Sequence, residues 1–208
     1  DRNLTVRRAL LGDIIKMIIV LTATATIIGT VLSFMERTLR EPIEYSTLKF
    51  VKGPAVLSVL ANSDNDPLKD LKDVNLIEKS GLSVVKRIFP AKRNGKIFAV
   101  AFEVLAKGYG GVMTIMIGIN FRTGQLTGMR VMTHSETPGL GARCTEPLFY
   151  EQFSGLGIKD TSLKEKGGKI DAISGATNTS QSVVESVKKA LELLTQNKEK
   201  IIGSFRAM

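Results

Sequence analysis

The feature that most constrains the fold of this chain is a long apolar segment near its N-terminus. Residues 17–35 read MIIVLTATATIIGTVLSFM and contain no charged side chain. As an α-helix this segment would span roughly 28 Å, close to the hydrocarbon thickness of a bilayer. The sequence therefore predicts one transmembrane helix at 17–35.

A cleaved signal peptide is the alternative interpretation of this segment, because Ala23-Thr24-Ala25 resembles a small-residue cleavage site. Apolar sequence continues well past that site, which favours a retained anchor. Basic residues exceed acidic ones before the segment, whereas the charges directly after it, Glu36-Arg37 and Arg40-Glu41, balance. The positive-inside rule then predicts a single pass through the inner (plasma) membrane, with residues 1–16 in the cytoplasm and the rest on the periplasmic or extracellular side.

Charge and residue usage exclude several classes of site. The formal net charge is +9, but the basic residues are interspersed with acids. This pattern favours a solvated surface over nucleic-acid binding. One cysteine, Cys144, and one histidine, His134, are too few for a zinc or iron–sulfur site in this chain alone, and they lack partners for a catalytic triad. We therefore expect no metal, no catalytic residue and no nucleic-acid partner.

The sequence after the apolar segment predicts an α+β domain. A connecting region with helical pieces is expected at 36–80, and an extracytoplasmic domain at 81–208. Period-two apolar patterns from Leu82 onward predict an antiparallel meander of about four strands. The predicted strands are 84–89, 96–105, 112–119 and 126–132. A short helix is predicted at 147–153, a short strand at 169–173 and an amphipathic C-terminal helix at 178–196.

The most informative motif precedes the C-terminal helix. Residues 167–180 read GGKIDAISGATNTS, a glycine-containing turn rich in hydroxyl groups. A helix N-terminus offers free N–H groups and the positive end of a dipole, which suit a phosphate. Helix capping alone is the alternative, because Ser, Thr and Asn are common at that position. The standard nucleotide-binding glycine loops do not occur in the chain.

This motif and two others resemble a known family. Residues 171–177, DAISGAT, resemble the flavinylation motif Asp-x-x-Ser/Thr-Gly-Ala-Thr. That motif belongs to the FMN-binding domain of the G subunit of Rnf complexes and the C subunit of sodium-pumping NADH:quinone reductases. The ETPGLG loop at 136–141 and the KGYGG turn at 107–111 also resemble that family. The similarity covers the anchor and roughly residues 80–196, and the short chain fits a G subunit better than a C subunit.

The resemblance implies an FMN cofactor, which a separate flavin transferase joins by a phosphoester to Thr177. The ring would lie over the 136–141 loop. Besides Thr177, the implied site residues are Asp171, Ser174, Gly175, Ala176, Thr179, Lys169, Glu136, Thr137, Pro138, Gly139, Leu140, Tyr109 and Gly110. Three roles stay open. Lys169 would face the phosphate or ring, or be an exposed lysine. Tyr109 would stack on or bond to the flavin, or cover a strand end. Glu136 would lower the flavin potential, or bond structurally to loop N–H groups.

The function that this resemblance implies is electron relay inside a membrane-bound ion-translocating ferredoxin:NAD oxidoreductase (Rnf) complex. Electrons would arrive from an iron–sulfur centre in neighbouring membrane subunits and leave to another flavin subunit. The alternatives are the quinone-reductase counterpart, a stand-alone extracytoplasmic FMN-dependent reductase, and a non-redox assembly or sensor protein in which SGAT is only a helix cap.

Overall fold

The computed structural model describes residues 2–61, 63–77 and 83–206. The chain forms two compact units, which divide after Thr47. The predicted boundary between residues 80 and 81, and the predicted start of the sheet at Leu82, lie outside the described residues.

The first unit is a single helix, α1 (Arg2–Thr47), of 46 residues. The predicted transmembrane segment lies inside it, and the large apolar side chains there are exposed. The hydroxyls of Thr26 and Thr30 each donate to the carbonyl four residues earlier, at 2.7 Å. Because the helix satisfies these hydroxyls itself, they can lie in an apolar environment without an external partner. Among the described residues, one helix is long and apolar enough to cross a membrane.

The second unit contains an antiparallel sheet of five strands in the order β1-β2-β3-β4-β5. Their bounds are β1 Lys72–Ile77, β2 Ser83–Arg93, β3 Lys96–Lys107, β4 Val112–Asn120 and β5 Leu126–Thr133. Asn94 and Gly95 have φ of 50° and 72°, which matches the twist of a two-residue hairpin between β2 and β3. The predicted antiparallel meander is confirmed, and β1 is an additional edge strand in the region expected to be a connection.

Both faces of the sheet are covered by apolar side chains. On one face, Phe102, Ile115 and Ile117 pack with α4 (Thr177–Arg206). On the other, Phe89 and Met116 pack with α2 (Gly53–Val59), which follows a π-helical turn at Leu48–Lys52. Strand β4 is apolar on both faces because helices cover both sides of the sheet at this central strand.

Helix α4 is longer than the predicted helix 178–196. Its C-terminal extension buries Ile201 completely and half-buries Ile202 and Phe205 against the main core. Ile201 lies seven residues after Leu194, so the apolar stripe continues at helical spacing. The polar residues 195–200 interrupt the stripe in sequence, and those at 195–199 are exposed or half-exposed.

Two short elements of the structure differ in type from those predicted from the sequence. The helix expected at 147–153 is one α-turn, α3 (Pro147–Tyr150), followed by a 3-10 turn at Glu151–Phe153. The strand expected at 169–173 is reduced to one parallel bridge between Leu163 and Ile170. Both segments place apolar side chains in the core, but neither segment is long enough to build a regular element.

Candidate functional site

The turn before α4 is fixed by a hydroxyl inside the helix. Gly175 has a φ of 77°, a left-handed conformation that favours glycine. The N–H of Ala176 donates to the carbonyl of Ile173 at 2.9 Å, and the helix begins at Thr177. The buried Ser180 Oγ accepts the Ile173 N–H at 2.9 Å and donates to the Ala176 carbonyl at 3.0 Å. Ser180 therefore closes the DAISGAT turn onto the helix.

The hydroxyls of Ser174 and Thr177 are exposed at this turn. Within the described part of the chain, the backbone N–H groups of Thr177, Asn178 and Thr179 have no carbonyl or side-chain acceptor. Three free donors at the positive end of a 30-residue helix suit an anion such as a phosphate. The structure thus places an accessible hydroxyl directly beside three backbone donors.

The ETPGLG loop lies against the same turn. A Cβ added at Gly175 would lie 3.1 Å from Leu140 Cδ2, so the Leu140 side chain lies close to the turn at Gly175. The Thr137 carbonyl accepts the Leu140 N–H at 3.2 Å, and Gly139 adopts a left-handed φ of 74° to close this turn. The side chains of Pro138 and Leu140 remain exposed. They offer an apolar surface beside the helix N-terminus.

The KGYGG turn completes the site from the sheet. The N–H of Gly108 donates to the carbonyl of Gly111 at 2.8 Å, which closes the connection between β3 and β4. Tyr109 lies at its tip and is 77% exposed. The N–H of Gly110 donates to Glu136 Oε1 at 2.9 Å, so this turn is bonded to the ETPGLG loop.

Glu136 connects all three stretches. Its carboxylate is 6% exposed and accepts the Gly110 N–H through Oε1 and the Thr179 hydroxyl through Oε2, the latter at 2.5 Å. Its own N–H donates to His134 Nδ1 at 3.3 Å. The Glu136 carboxylate is thus hydrogen-bonded to the KGYGG turn and to helix α4. Its effect on the reduction potential of a flavin stays a prediction.

Lys169 and Asp171 have partners of their own. Lys169 Nζ lies 3.2 Å from Asp160 Oδ1, and Asp171 Oδ2 lies 2.7 Å from Lys164 Nζ. The Asp171 N–H also donates to Gln152 Oε1 at 2.7 Å. These contacts tie the motif's acidic end to the preceding loop, and a role of either side chain toward a phosphate stays a prediction.

The chemistry of Cys144 is set by its burial. The side chain is fully buried. Desolvation, and secondarily the charge of Glu136, raise the pKa of the Cys144 thiol to about 11. The residue is therefore protonated at neutral pH and is a poor nucleophile.

The residues at this site fit an FMN. A flavin phosphate accepts hydrogen bonds, and the helix N-terminus supplies free donors; an isoalloxazine ring needs apolar contact, and Leu140 and Pro138 supply it on the adjoining loop. Ser174, Gly175, Ala176 and Thr177 form the turn between these two surfaces.

Two contacts at the site were not predicted from the sequence. Glu136 and Thr179 are bonded to each other, although 43 positions separate them. Ser182 Oγ donates to the carbonyl of Lys107 at 2.6 Å and attaches α4 to the end of β3. One signal could have indicated the first contact: Glu136 is the acidic residue of a loop otherwise made of small and apolar residues, and such a carboxylate needs a donor nearby.

Comparison with known proteins gives a consistent result. The family described as FMN-binding domain matches residues 108–192. The G subunit of the ion-translocating oxidoreductase complex of Methanosarcina acetivorans is 39% identical over 119 residues, which are 57% of this chain and 63% of that protein. The chain thus spans less than two thirds of that relative. The G subunit from Pseudomonas aeruginosa is 31% identical over 166 residues, which are 75% of this chain and 77% of that protein.

A solved structure shares the fold. The crystal structure of the C subunit from the Na(+)-translocating NADH-quinone reductase of Parabacteroides distasonis superposes with a TM-score of 0.51. The match covers 69% of this chain and 89% of that chain at 20% identity. At this identity the similarity shows a common fold.

Proposed function

We propose that this chain, which belongs to the family of G subunits of ion-translocating oxidoreductase complexes, is an electron-transfer subunit whose FMN is joined by a phosphoester to Thr177. One observation carries the proposal. The Thr177 hydroxyl is exposed at the first position of α4, beside three N–H groups without acceptors among the described residues. A phosphate esterified there would receive those donors.

The attachment requires an activated flavin nucleotide. The Thr177 oxygen forms a bond to the flavin phosphorus of a phosphoric anhydride such as a flavin dinucleotide. The anhydride P–O bond breaks, the second mononucleotide leaves, and the hydroxyl proton passes to a base of the transferase. The protein then gains the mass of FMN less one water. The step needs no acid or base of this chain. In agreement with this, the exposed Thr177 hydroxyl has no acidic or basic side chain hydrogen-bonded to it among the described residues.

The covalent bond suits a relay. FMN supplies one-electron and two-electron chemistry when bound, and the chain's residues hold its phosphate and contact its ring. An ester retains the cofactor without a deep pocket, so the ring can remain accessible to donor and acceptor subunits. The proposed donor is an iron–sulfur centre in a neighbouring membrane subunit, and the proposed acceptor is another flavin subunit.

The proposed membrane arrangement starts from the apolar helix α1. The apolar helix and the relation to subunits of an ion-translocating complex indicate membrane association. We propose that residues 17–35 span the membrane, with residues 1–16 in the cytoplasm and the FMN-binding domain at 81–208 on the outer side, reached through 36–80. The match covers 63% of the G subunit of Methanosarcina acetivorans. We propose that the whole complex to which this chain belongs is an ion-translocating ferredoxin:NAD oxidoreductase.

Intact-mass measurement tests the covalent bond. The full chain is expressed with a flavin transferase, purified in detergent and weighed, with in-gel flavin fluorescence as a second readout. Wild type is expected to carry FMN less one water, and Thr177→Ala to lose it completely. Thr123→Ala removes an exposed hydroxyl of the β4–β5 connection, outside the proposed site, and is expected to stay fully modified. Unmodified wild type, or a modified Thr177→Ala, contradicts the proposal.

A further inference from the structure

Glu136 stands out among the described residues as the one buried side chain with an acidic group. Burying a carboxylate is costly unless hydrogen bonds replace its water. Here the Gly110 N–H donates at 2.9 Å and the Thr179 hydroxyl at 2.5 Å, one to each oxygen. Hydrogen bonds to a charged acceptor are about twice as strong as neutral ones, so each of these contacts is worth more to the fold than an ordinary polar contact.

Glycines make room for this carboxylate. A Cβ at Gly108 would collide with Glu136 Oε1, and a Cβ at Gly141 would collide with Glu136 Oε2. A Cβ at Gly110 would collide with the carbonyl of Ser135, the residue before Glu136. The turn at 107–111 and the loop at 134–141 therefore pack backbone to backbone around one carboxylate, and that carboxylate reaches α4 through Thr179.

The contact to Thr179 determines which side of the helix Thr177 occupies. Residues two apart on an α-helix differ by about 200° in direction. Thr179 is 1% exposed and Thr177 is exposed. While Thr179 is bonded to Glu136, Thr177 must project to the opposite side, toward solvent.

We propose that Glu136 is a positioning residue for Thr177: through its bond to Thr179 it fixes the rotation of the first turn of α4 and presents the Thr177 hydroxyl to the flavin transferase. This inference rests on the proposed function, namely that Thr177 is the site of attachment. Glu136 acts on the modification without touching the hydroxyl that is modified.

Removing the Thr179 hydroxyl tests this role. Thr179→Val keeps the shape of the side chain and leaves Glu136 Oε2 without its donor. Thr179→Ser restores a hydroxyl. Ser182→Ala is the matched control, because it also removes a hydroxyl that attaches α4 to the β3–β4 hairpin, through the Lys107 carbonyl, but does not involve Glu136.

The full chain with each substitution is expressed with the transferase, and the modified fraction at Thr177 is followed over time by intact mass. Thr179→Val is expected to slow modification at least tenfold, Thr179→Ser to return it to within about twofold of wild type, and Ser182→Ala to leave it unchanged. Thermal unfolding of each unmodified protein is measured alongside. Should Thr179→Val not accumulate, Thr179→Ala takes its place.

The outcomes separate the two proposals. Wild-type modification in Thr179→Val overturns the positioning role. A reduction in Thr179→Val that Ser182→Ala matches at equal loss of thermal stability also overturns it, because general destabilisation then explains both. If wild type itself is never modified at Thr177, the proposed function fails instead. Faster amide hydrogen exchange in residues 174–182 of Thr179→Val than of Ser182→Ala supports the positioning role independently of flavin.

Discussion

Thr177 and Thr179 are the same residue type, two positions apart, and the fold gives them opposite surroundings. Thr177 is exposed, whereas Thr179 is buried and donates to Glu136. The helix period accounts for the difference in direction, and Ser180, which closes the preceding turn, fixes where that helix begins. The hydroxyl-rich stretch therefore divides into exposed groups that are free to react and buried groups that hold the turn.

At the same scale, Gly110→Ala is expected to destabilise the domain. The added Cβ would collide with backbone atoms of Ser135, which cannot move away as the end of a flexible side chain can. We expect a loss of about 1–3 kcal/mol, as for overpacked cores. Cys144, the one cysteine and fully buried, reports unfolding in denaturant by its reaction with a maleimide.

Gly157→Ala is the control for this change, because nothing lies within 4 Å of the added Cβ. It is expected to stay within about 0.5 kcal/mol of wild type. Equal stability of Gly110→Ala and Gly157→Ala would show that the 107–111 turn does not pack against the loop as described.

Among the elements, β1 lies at one edge of the sheet and pairs with β2. Its sequence, KDVNLI, alternates weakly and begins with two charged residues, as is usual for an edge strand. The preceding loop is attached to β2 by Asn65, which accepts the Lys92 N–H at 2.7 Å and donates to the Pro90 carbonyl at 2.9 Å. Asp70 accepts from Lys92 Nζ at 2.8 Å and from Asn65. The loop thus directs the chain into β1.

This attachment is expected to weaken in acid. The hydrogen bond from Lys92, and then that from Asn65, lower the pKa of Asp70 against the opposing effect of burial. A carboxyl with a lowered folded-state pKa stabilises the fold above its unfolded pKa, about 4, and that contribution is lost as pH falls through the folded value. Because both side chains of the ion pair are 35–36% exposed, solvent screening limits the contribution to about 1 kcal/mol or less.

The free energy of unfolding between pH 7 and pH 3, measured from urea unfolding followed by far-UV circular dichroism, checks this. Wild type should lose more stability in acid than Asp70→Asn does. Asp66→Asn serves as the control: its ion pair with Lys69 is longer, 3.9 Å, and an asparagine still accepts the Leu68 N–H. Equal acid sensitivity of Asp70→Asn and wild type would remove Asp70 from the explanation.

For the whole molecule, the division after Thr47 separates two kinds of stability. All the buried apolar side chains that the structure describes lie at residue 55 or later, and they form one cluster on each face of the sheet. From Ile14 onward, helix α1 exposes its large apolar side chains instead, as a helix that meets lipid or other helices would. The domain therefore carries its own core, and α1 is the segment that we propose as the membrane anchor.

A chain that begins at Leu48 is accordingly expected to fold without detergent. Its unfolding midpoint, from Cys144 labelling, should equal that of the full chain in detergent. A chain that begins at Ala61 is the control, since it also lacks Val56, Val59 and Leu60, which cover Phe89 and Met116. The shorter chain should aggregate. Aggregation of the longer one would show that the domain needs residues 1–47 for its fold.

The sequence by itself determined what local pattern and composition can encode. An uncharged apolar run predicts a membrane helix by its length, alternation predicts strands, and DAISGAT before an amphipathic stripe predicts a phosphate position, because each is a property of neighbouring residues. Only the tertiary structure decided which distant groups meet. The Glu136–Thr179 bond, the room left by Gly108 and Gly141, and the pairing of β1 with β2 depend on how five strands and a helix pack, and no local pattern records that packing.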